Sequence, residues 1–222
     1  MKKTSFQNYK ATTVKAYDTI SEIFQEERTP NFWLDEFKIL MGLMEANGLE
    51  IIGSKFLDLG CGTGNDAHLA MNKGMKYVGV DLSKGMLDIA RRMVKGAEFF
   101  EMDITDLKFK DNEFDVVWAS SILLHLNSLD LNKALKEIKR VLKPNHFAFI
   151  SMEKRQKGGR AKSMRKSIKG GKPVKRFWAL YTESEFKKIL KRVNLKVVKT
   201  TFKIEPEGKK EWLCFFVKNQ RP

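Results

Sequence analysis

From Lys55 onward the chain alternates short apolar runs with amphipathic stretches, and that alternation narrows the folds open to it more than any other feature. KFLDLG (55–60), YVGVD (77–81), EFFEMD (98–103), FDVVWAS (114–120) and FAFIS (147–151) read as strands. Between them lie AHLAMNKG, a short helix ending at Gly74; SKGMLDIARRMV, a helix opened by Ser83 as N-cap; and LDLNKALKEIKRVL, a helix stopped at Lys143-Pro144. Repeated strand–helix units imply parallel pairing through right-handed crossovers, and so an open α/β sheet with helices on both faces. Ligands of such sheets bind beyond the carboxyl ends of the strands, at the point where the strand order reverses.

The flanks read differently. Residues 1–54 are helical, with apolar positions Val14, Tyr17, Ile20 and Phe24, then Phe32, Phe37, Leu40, Leu43 and Met44, split at Thr29-Pro30. After residue 176, TESEFKKILKRV is a helix opened by a capping box over Thr182 to Glu185. LKVVKTTFKI and EWLCFFVK, joined by EPEGKK, read as an antiparallel hairpin that completes the same domain. Residues 55–153 are then the binding core, 154–176 an insertion, and 177–222 the closing segment.

Charge singles out the insertion. Residues 1–153 carry a net charge of −2 and residues 154–222 one of +17; Lys154 to Arg176 holds eleven basic residues and no acid. Such a block reads as a solvated, mobile lid with Gly158, Gly159, Gly170 and Gly171 as hinges, or as a surface for an anionic partner. At 42% hydrophobic residues with only 5 Pro in 222, the chain is globular rather than disordered. Its two cysteines, Cys61 and Cys214, form neither a metal-ligand spacing nor a disulfide framework, which suits a reducing compartment; no metal is expected. MKKTSFQNYK has polar residues where a leader would be apolar, and no uncharged run approaches the roughly 18 residues that span a bilayer. A cytoplasmic protein without a membrane partner is the expectation.

Three strand ends carry polar chemistry. The first runs into Asp58-Leu59-Gly60-Cys61-Gly62-Thr63-Gly64, whose alternate glycines allow a tight turn and let a ligand lie against bare backbone. The second ends at Asp81, where a carboxylate can accept from both hydroxyls of a ribose. The third ends at Asp103, placed to accept from an adenine amino group. A dinucleotide fingerprint would need its third glycine at Asn65, and no triphosphate-binding loop is present, so a different adenosine-containing ligand is indicated.

FLDLGCGTG, VGVDLSKGML, FEMDITDLKF, FDVVWASSILLHL and LKEIKRVLKPNHFAFIS, in that order and spacing, resemble the class I S-adenosylmethionine-dependent methyltransferases, in particular the ubiquinone-biosynthesis group. The resemblance implies a Rossmann-like, doubly wound sheet of seven strands with the last antiparallel. It also implies that Gly60, Cys61, Gly62, Thr63 and Gly64 pass under the methionyl part of S-adenosylmethionine. Asp58 would hold the α-amino group, or else simply bond loop amides. Asp81, Leu82 and Met86 would surround the ribose, Asp103 and Ile104 the adenine, Ser120 would face the sulfonium, and Tyr17 would fold over the cofactor carboxylate. Two turns depart from the family pattern, with Asn145 and Asn194 where glycine is usual; asparagine tolerates the left-handed conformation such turns need.

Methyl transfer from a sulfonium chiefly requires near-attack geometry, and a base only where the acceptor must lose a proton. His125, just past the fourth strand, is the candidate base, whereas His68 and His146 read as structural. Arg176, Phe177, Trp178 and Tyr181 supply the cation and rings that suit a flat or anionic acceptor. Three readings stand at this point: a small-molecule methyltransferase, an RNA methyltransferase using the basic C-terminal region, and a cofactor-binding protein without turnover. RFWALYT and Trp212 are similar to the end of tRNA wobble-uridine methyltransferases, while Trp118-Ala119-Ser120-Ser121 lacks the N-P-P-Y pattern of base-amine methylation. Monomer and dimer both remain open.

Overall fold

The structure is a computed structural model that describes residues 8–27, 29–206 and 210–220. The polar N-terminal residues 1–7 and residues 207–209 of the EPEGKK turn lie outside the described residues.

The parallel strands are β1 (Lys55–Leu59), β2 (Lys76–Asp81), β3 (Glu98–Glu101), β4 (Phe114–Ala119) and β5 (Leu142–Glu153). The chain closes with β8 (Leu195–Ile204) and β9 (Glu211–Asn219), and one sheet runs β3-β2-β1-β4-β5-β9-β8. Only β9 is antiparallel to its neighbours β5 and β8, so the seven-stranded sheet with a reversed last strand is present as expected. The order reverses between β1 and β4, which places a crevice above their carboxyl ends.

One continuous aromatic row locks these central strands. Trp118, Phe149 and Phe216 are direct partners on β4, β5 and β9. Their rings meet at 4.1 Å and 5.4 Å, and Phe56 of β1 reaches Trp118 at 6.0 Å. The helix α2 (Leu34–Glu45) lays Phe37 on both Phe56 and Trp118. Pairs of this kind add about 0.5–1.5 kcal/mol each beyond their burial. The remaining core helices are α3 (Ala67–Met71), α4 (Lys84–Met93), α5 (Ser128–Val141) and α6 (Glu183–Arg192). Ser83 accepts from the Met86 amide as N-cap of α4, and Thr182 and Glu185 form the reciprocal capping box of α6. Asn145 and Asn194 sit at φ 63° and 56°, the left-handed region that let them replace glycine.

The basic insertion departs from the expected mobile lid. Residues 162–169 and 172–179 are paired strands, β6 (Lys162–Lys169) and β7 (Lys172–Ala179), forming a separate two-stranded sheet. Gly170 and Gly171 are the hairpin turn, with φ 49° and 73°, as a two-residue connection between right-twisted strands requires. Gly158 and Gly159 stay in the loop before it. Order comes from α1 (Tyr9–Glu26), whose buried positions Tyr9, Thr13, Ala16 and Ile20 form one stripe at helical spacing. Tyr9 packs on Phe177 at 4.7 Å, Ala16 and Ile20 on Val174, and Thr13 Oγ1 accepts the Phe177 amide at 3.0 Å. Long basic side chains can line a strand in this way because their stems cover apolar surface while their heads reach partners.

Candidate active site

Glycine placement sets the floor of the site. Gly60 has φ 68°, and its amide and that of Cys61 both donate to the Val80 carbonyl, folding the loop back over β2. A Cβ at Gly60 would stand 2.4 Å from Ile122 Cγ1, and one at Gly64 would stand 3.0 Å from Val94. A side chain at either position would collide with these neighbours. Gly60, Cys61 and Gly62 all line the cavity, and a Cβ at Gly62 would meet nothing closer than Phe24 at 3.9 Å.

Above the loop is a cavity of about 740 Å³, within the range of small-molecule sites. It runs from the ends of β1, β2 and β4 to α1, the β6–β7 hairpin and the start of β9. A more open groove of about 880 Å³ lies at the opposite strand ends, beside Asn145, Asn194 and Lys191, and brings together no buried acid or base. The acids at the ends of β1 and β2 line the first cavity.

Asp58, only 2% exposed, accepts the Tyr77 hydroxyl on Oδ2 at 2.7 Å. Its Oδ1 is buried with no partner. Burial, reinforced by the nearby Asp66 carboxylate, holds its pKa well above the usual carboxylate range. Asp81 is fixed by two main-chain amides, Gly62 to Oδ2 and Ser83 to Oδ1, both at 2.9 Å. Burial raises its pKa against the pull of those amides. Asp81 lines the cavity. Leu82, Met86, Ile104 and Ser120 line the same space. Thr63 does not; its hydroxyl turns to Asn65 Oδ1.

Asp103 lines the cavity with both oxygens engaged, Oδ2 by Lys10 at 2.7 Å and Oδ1 by the Thr105 amide and hydroxyl. Burial would raise its pKa, but these bonds outweigh it and leave the carboxyl below its ordinary value. An adenine amino group would compete there with Lys10.

His125 is 6% exposed, and both of its ring nitrogens are used. Nδ1 lies 2.7 Å from the Phe177 carbonyl, which can only accept, so Nδ1 carries the proton. Nε2 is then the bare nitrogen, and the Tyr17 hydroxyl donates to it at 2.8 Å. Burial, partly offset by the Phe177 bond and reinforced by Arg176 and Arg165, pushes the imidazole down to about 4, so it is neutral. Arg176 Nη1 in turn lies 3.3 Å from the Tyr17 oxygen. Tyr17, expected over the cofactor carboxylate, is thus the hydroxyl that stands in front of the expected base.

Arg176 and Trp178 line the cavity as expected, whereas Tyr181 does not and packs on Phe186. Sequence reasoning missed Asp66, whose Oδ2 accepts from Trp118 Nε1 at 2.9 Å and Ser120 Oγ at 3.2 Å. At the N-cap of α3 it looks like an ordinary capping acid, yet it makes no cap bond. Trp33, Arg165 and Lys210 were missed as well, and they enter the cavity from three distant segments.

The strand order, the glycine loop and the acids at the ends of β1 and β2 agree with the resemblance to class I S-adenosylmethionine-dependent methyltransferases read in the sequence. Residues 57–150, less than half of the chain, match the family model described as a methyltransferase domain. The chain is similar to the demethylmenaquinone methyltransferase of Paenarthrobacter aurescens (strain TC1), 34% identical over 129 residues, or 58% of this chain and 47% of the relative. It spans less than half the length of the demethylmenaquinone methyltransferases it matches. Among solved structures it is similar to an S-adenosylmethionine-dependent methyltransferase from Clostridium acetobutylicum, with TM-score 0.72, 18% identity, and 92% and 99% of the two chains covered. It is also similar to the 1,6-didemethyltoxoflavin-N1-methyltransferase of Burkholderia thailandensis, determined with 1,6-didemethyltoxoflavin and S-adenosylhomocysteine bound; TM-score is 0.68, identity 20%, and coverage 96% and 90%. At those identities the two structures bear on the fold.

Proposed function

We propose that this protein methylates a small-molecule acceptor, using S-adenosylmethionine as donor. The observation that carries the reading is the buried, unpartnered Oδ1 of Asp58 in a cavity shared with Gly62 and Asp81. An orphaned buried acceptor costs about 1–3 kcal/mol, and a ligand ammonium would satisfy it. Asp81, held by two amides, is oriented to accept the two hydroxyls of a ribose, and Ile104 offers an apolar wall to the base. When bound, the donor supplies a methyl group already activated by its sulfonium charge. The protein's part is to hold the acceptor in line, an entropic contribution that can reach about 7–11 kcal/mol. Where the acceptor has a proton to lose, Tyr17 receives it as its own hydroxyl proton shifts to His125 Nε2. His125, at about 4, is a weak base, so this route suits acceptors that need little help.

A small acceptor is favoured by the cations that reach the cavity. Arg165 pairs with Glu153 at 2.9 Å, Lys210 with Glu205 at 3.0 Å and Lys169 with Glu27, and all three cations line it. Among the described residues no helix is long and apolar enough to cross a membrane, and Cys61 and Cys214 are free and buried, which fits a cytoplasmic setting.

Turnover of labelled donor against fractionated metabolites and against total RNA tests the acceptor. Label in a small-molecule fraction is expected, and label confined to RNA overturns this choice. Calorimetry with S-adenosylhomocysteine tests the donor site: Asp81→Ala should weaken binding by roughly 1.5–3 kcal/mol, and unchanged affinity would refute the ribose assignment.

A further inference from the structure

Six cations line the cavity, and four are already neutralised: Lys10 by Asp103, Arg165 by Glu153, Lys169 by Glu27 and Lys210 by Glu205. Lys166 is exposed and has no acid partner. Arg176 is different, being half-buried beside the Tyr17–His125 pair. It makes only long contacts to hydroxyls, Tyr17 at 3.3 Å and Ser167 at 3.4 Å, and its Nε is buried with no acceptor. A guanidinium in that setting lacks the carboxylate or phosphate that its planar fork fits.

Flat walls surround it. The guanidinium lies 5.3 Å from the Tyr17 ring and 5.5 Å from the Trp178 ring. Trp212, 5% exposed, borders the same cavity, and its indole N–H is buried with no acceptor. Arg176 Nε and Trp212 Nε1 are thus two unsatisfied donors among the residues of this cavity, and an acceptor-rich planar group suits such a lining.

We infer that the acceptor is a planar aromatic anion, its negative group held by Arg176 and its ring lodged against Trp178 and Trp212. The inference rests on the methyltransferase reading and names the chemical class of its substrate. It also agrees with the weak base nearby, since an acceptor that arrives as an anion has little need of proton removal.

The probes are 2-naphthoate, its neutral isostere 2-naphthamide, and inorganic phosphate, titrated calorimetrically into protein saturated with S-adenosylhomocysteine. Naphthoate should bind at least ~10-fold more tightly than either of the others, a difference of ~1.4 kcal/mol. Arg176→Gln should remove at least ~10-fold of the naphthoate affinity, and Arg176→Lys should restore part of it. In both variants S-adenosylhomocysteine affinity should stay within about twofold, which doubles as the check that they fold. Naphthamide or phosphate binding as tightly as naphthoate overturns the proposal, as does absent naphthoate binding or an unchanged Arg176→Gln. Failure of S-adenosylhomocysteine to bind the unsubstituted protein would instead sink the donor assignment, so the two failures are distinct.

Discussion

Asp58→Asn should move stability and ligand affinity in opposite directions. In the free protein the Asp58 carboxylate is buried, shares its surroundings with Asp66, and has one oxygen without a partner. Its folded pKa is raised, so it favours folding only at pH values below the unfolded carboxylate range, and that favour is lost as pH rises through the folded value. At neutral pH the buried acid therefore costs the free fold stability. Asparagine keeps an oxygen for the Tyr77 hydroxyl, now 2.7 Å from Oδ2, and puts a neutral amide where Oδ1 stands. The variant should melt higher than the parent without ligand. An ammonium arriving at that position would meet a donor instead of a carboxylate, and the lost charge-assisted bond is worth about 1.5–3 kcal/mol, or roughly 10- to 150-fold in affinity. Thermal unfolding with and without S-adenosylhomocysteine, paired with calorimetry, reads both effects. Titration in buffers of different ionisation enthalpy adds a third: binding to the parent should release protons as the ammonium draws the Asp58 pKa down, and binding to the variant should release fewer. A variant less stable than the parent, or one that binds S-adenosylhomocysteine equally well, would show that Asp58 is a structural acid and not a ligand group.

Three further substitutions test the loop and the imidazole. His125 has a folded pKa of about 4 against 6.5 when unfolded, so its contribution is complete above pH 6.5 and lost as pH falls toward 4, at most about 3 kcal/mol. His125→Gln should flatten the fall in the denaturation midpoint across that window, and a parallel curve would mean the imidazole is not excluded from charging. Gly60→Ala combines φ 68° with a Cβ 2.4 Å from Ile122, and should cost at least ~2 kcal/mol and ~4 °C in Tm. Gly62→Ala, at φ 53° but facing open space, should cost less stability and more S-adenosylhomocysteine affinity; equal melting losses would contradict this division.

Periodicity and punctuation made the sheet readable, because they act locally. Strands β1 to β5 are apolar runs between helical segments, and Asn145 and Asn194 could be recognised as turn residues since few side chains tolerate positive φ. The hairpin was not read because β6 has little apolar content beyond Met164 and Ile168, the latter 73% exposed. Its partner is α1, and Lys169 pairs with Glu27, the C-cap of that helix, across 142 positions. The overlooked signal was Gly170-Gly171 itself, a two-residue connection between runs of equal length. Asp66 was hidden by a position that usually means capping, and the engagement of Asp103 by Lys10 depends on a helix 93 residues earlier.

The two halves of the site differ in the same way. The proposed donor half is carried by residues close in sequence at the ends of adjacent strands, Asp58, Gly60, Cys61 and Gly62 among them. The acceptor half is assembled across the chain: Tyr17 meets His125 over 108 positions and Arg176 over 159. Nothing at residue 17 alone distinguishes a core aromatic from a proton-bearing hydroxyl. The distinction comes from the Phe177 carbonyl, which fixes the imidazole tautomer and so decides which way the Tyr17 proton points. Because Phe177 is held by α1 through Thr13 and Tyr9, the helix that supplies Tyr17 also sets the nitrogen it faces. Thr13→Val, which removes the bond to the Phe177 amide while keeping volume, should therefore perturb acceptor turnover more than S-adenosylhomocysteine binding. Equal losses in both would mean that α1 serves the donor half as much as the acceptor half.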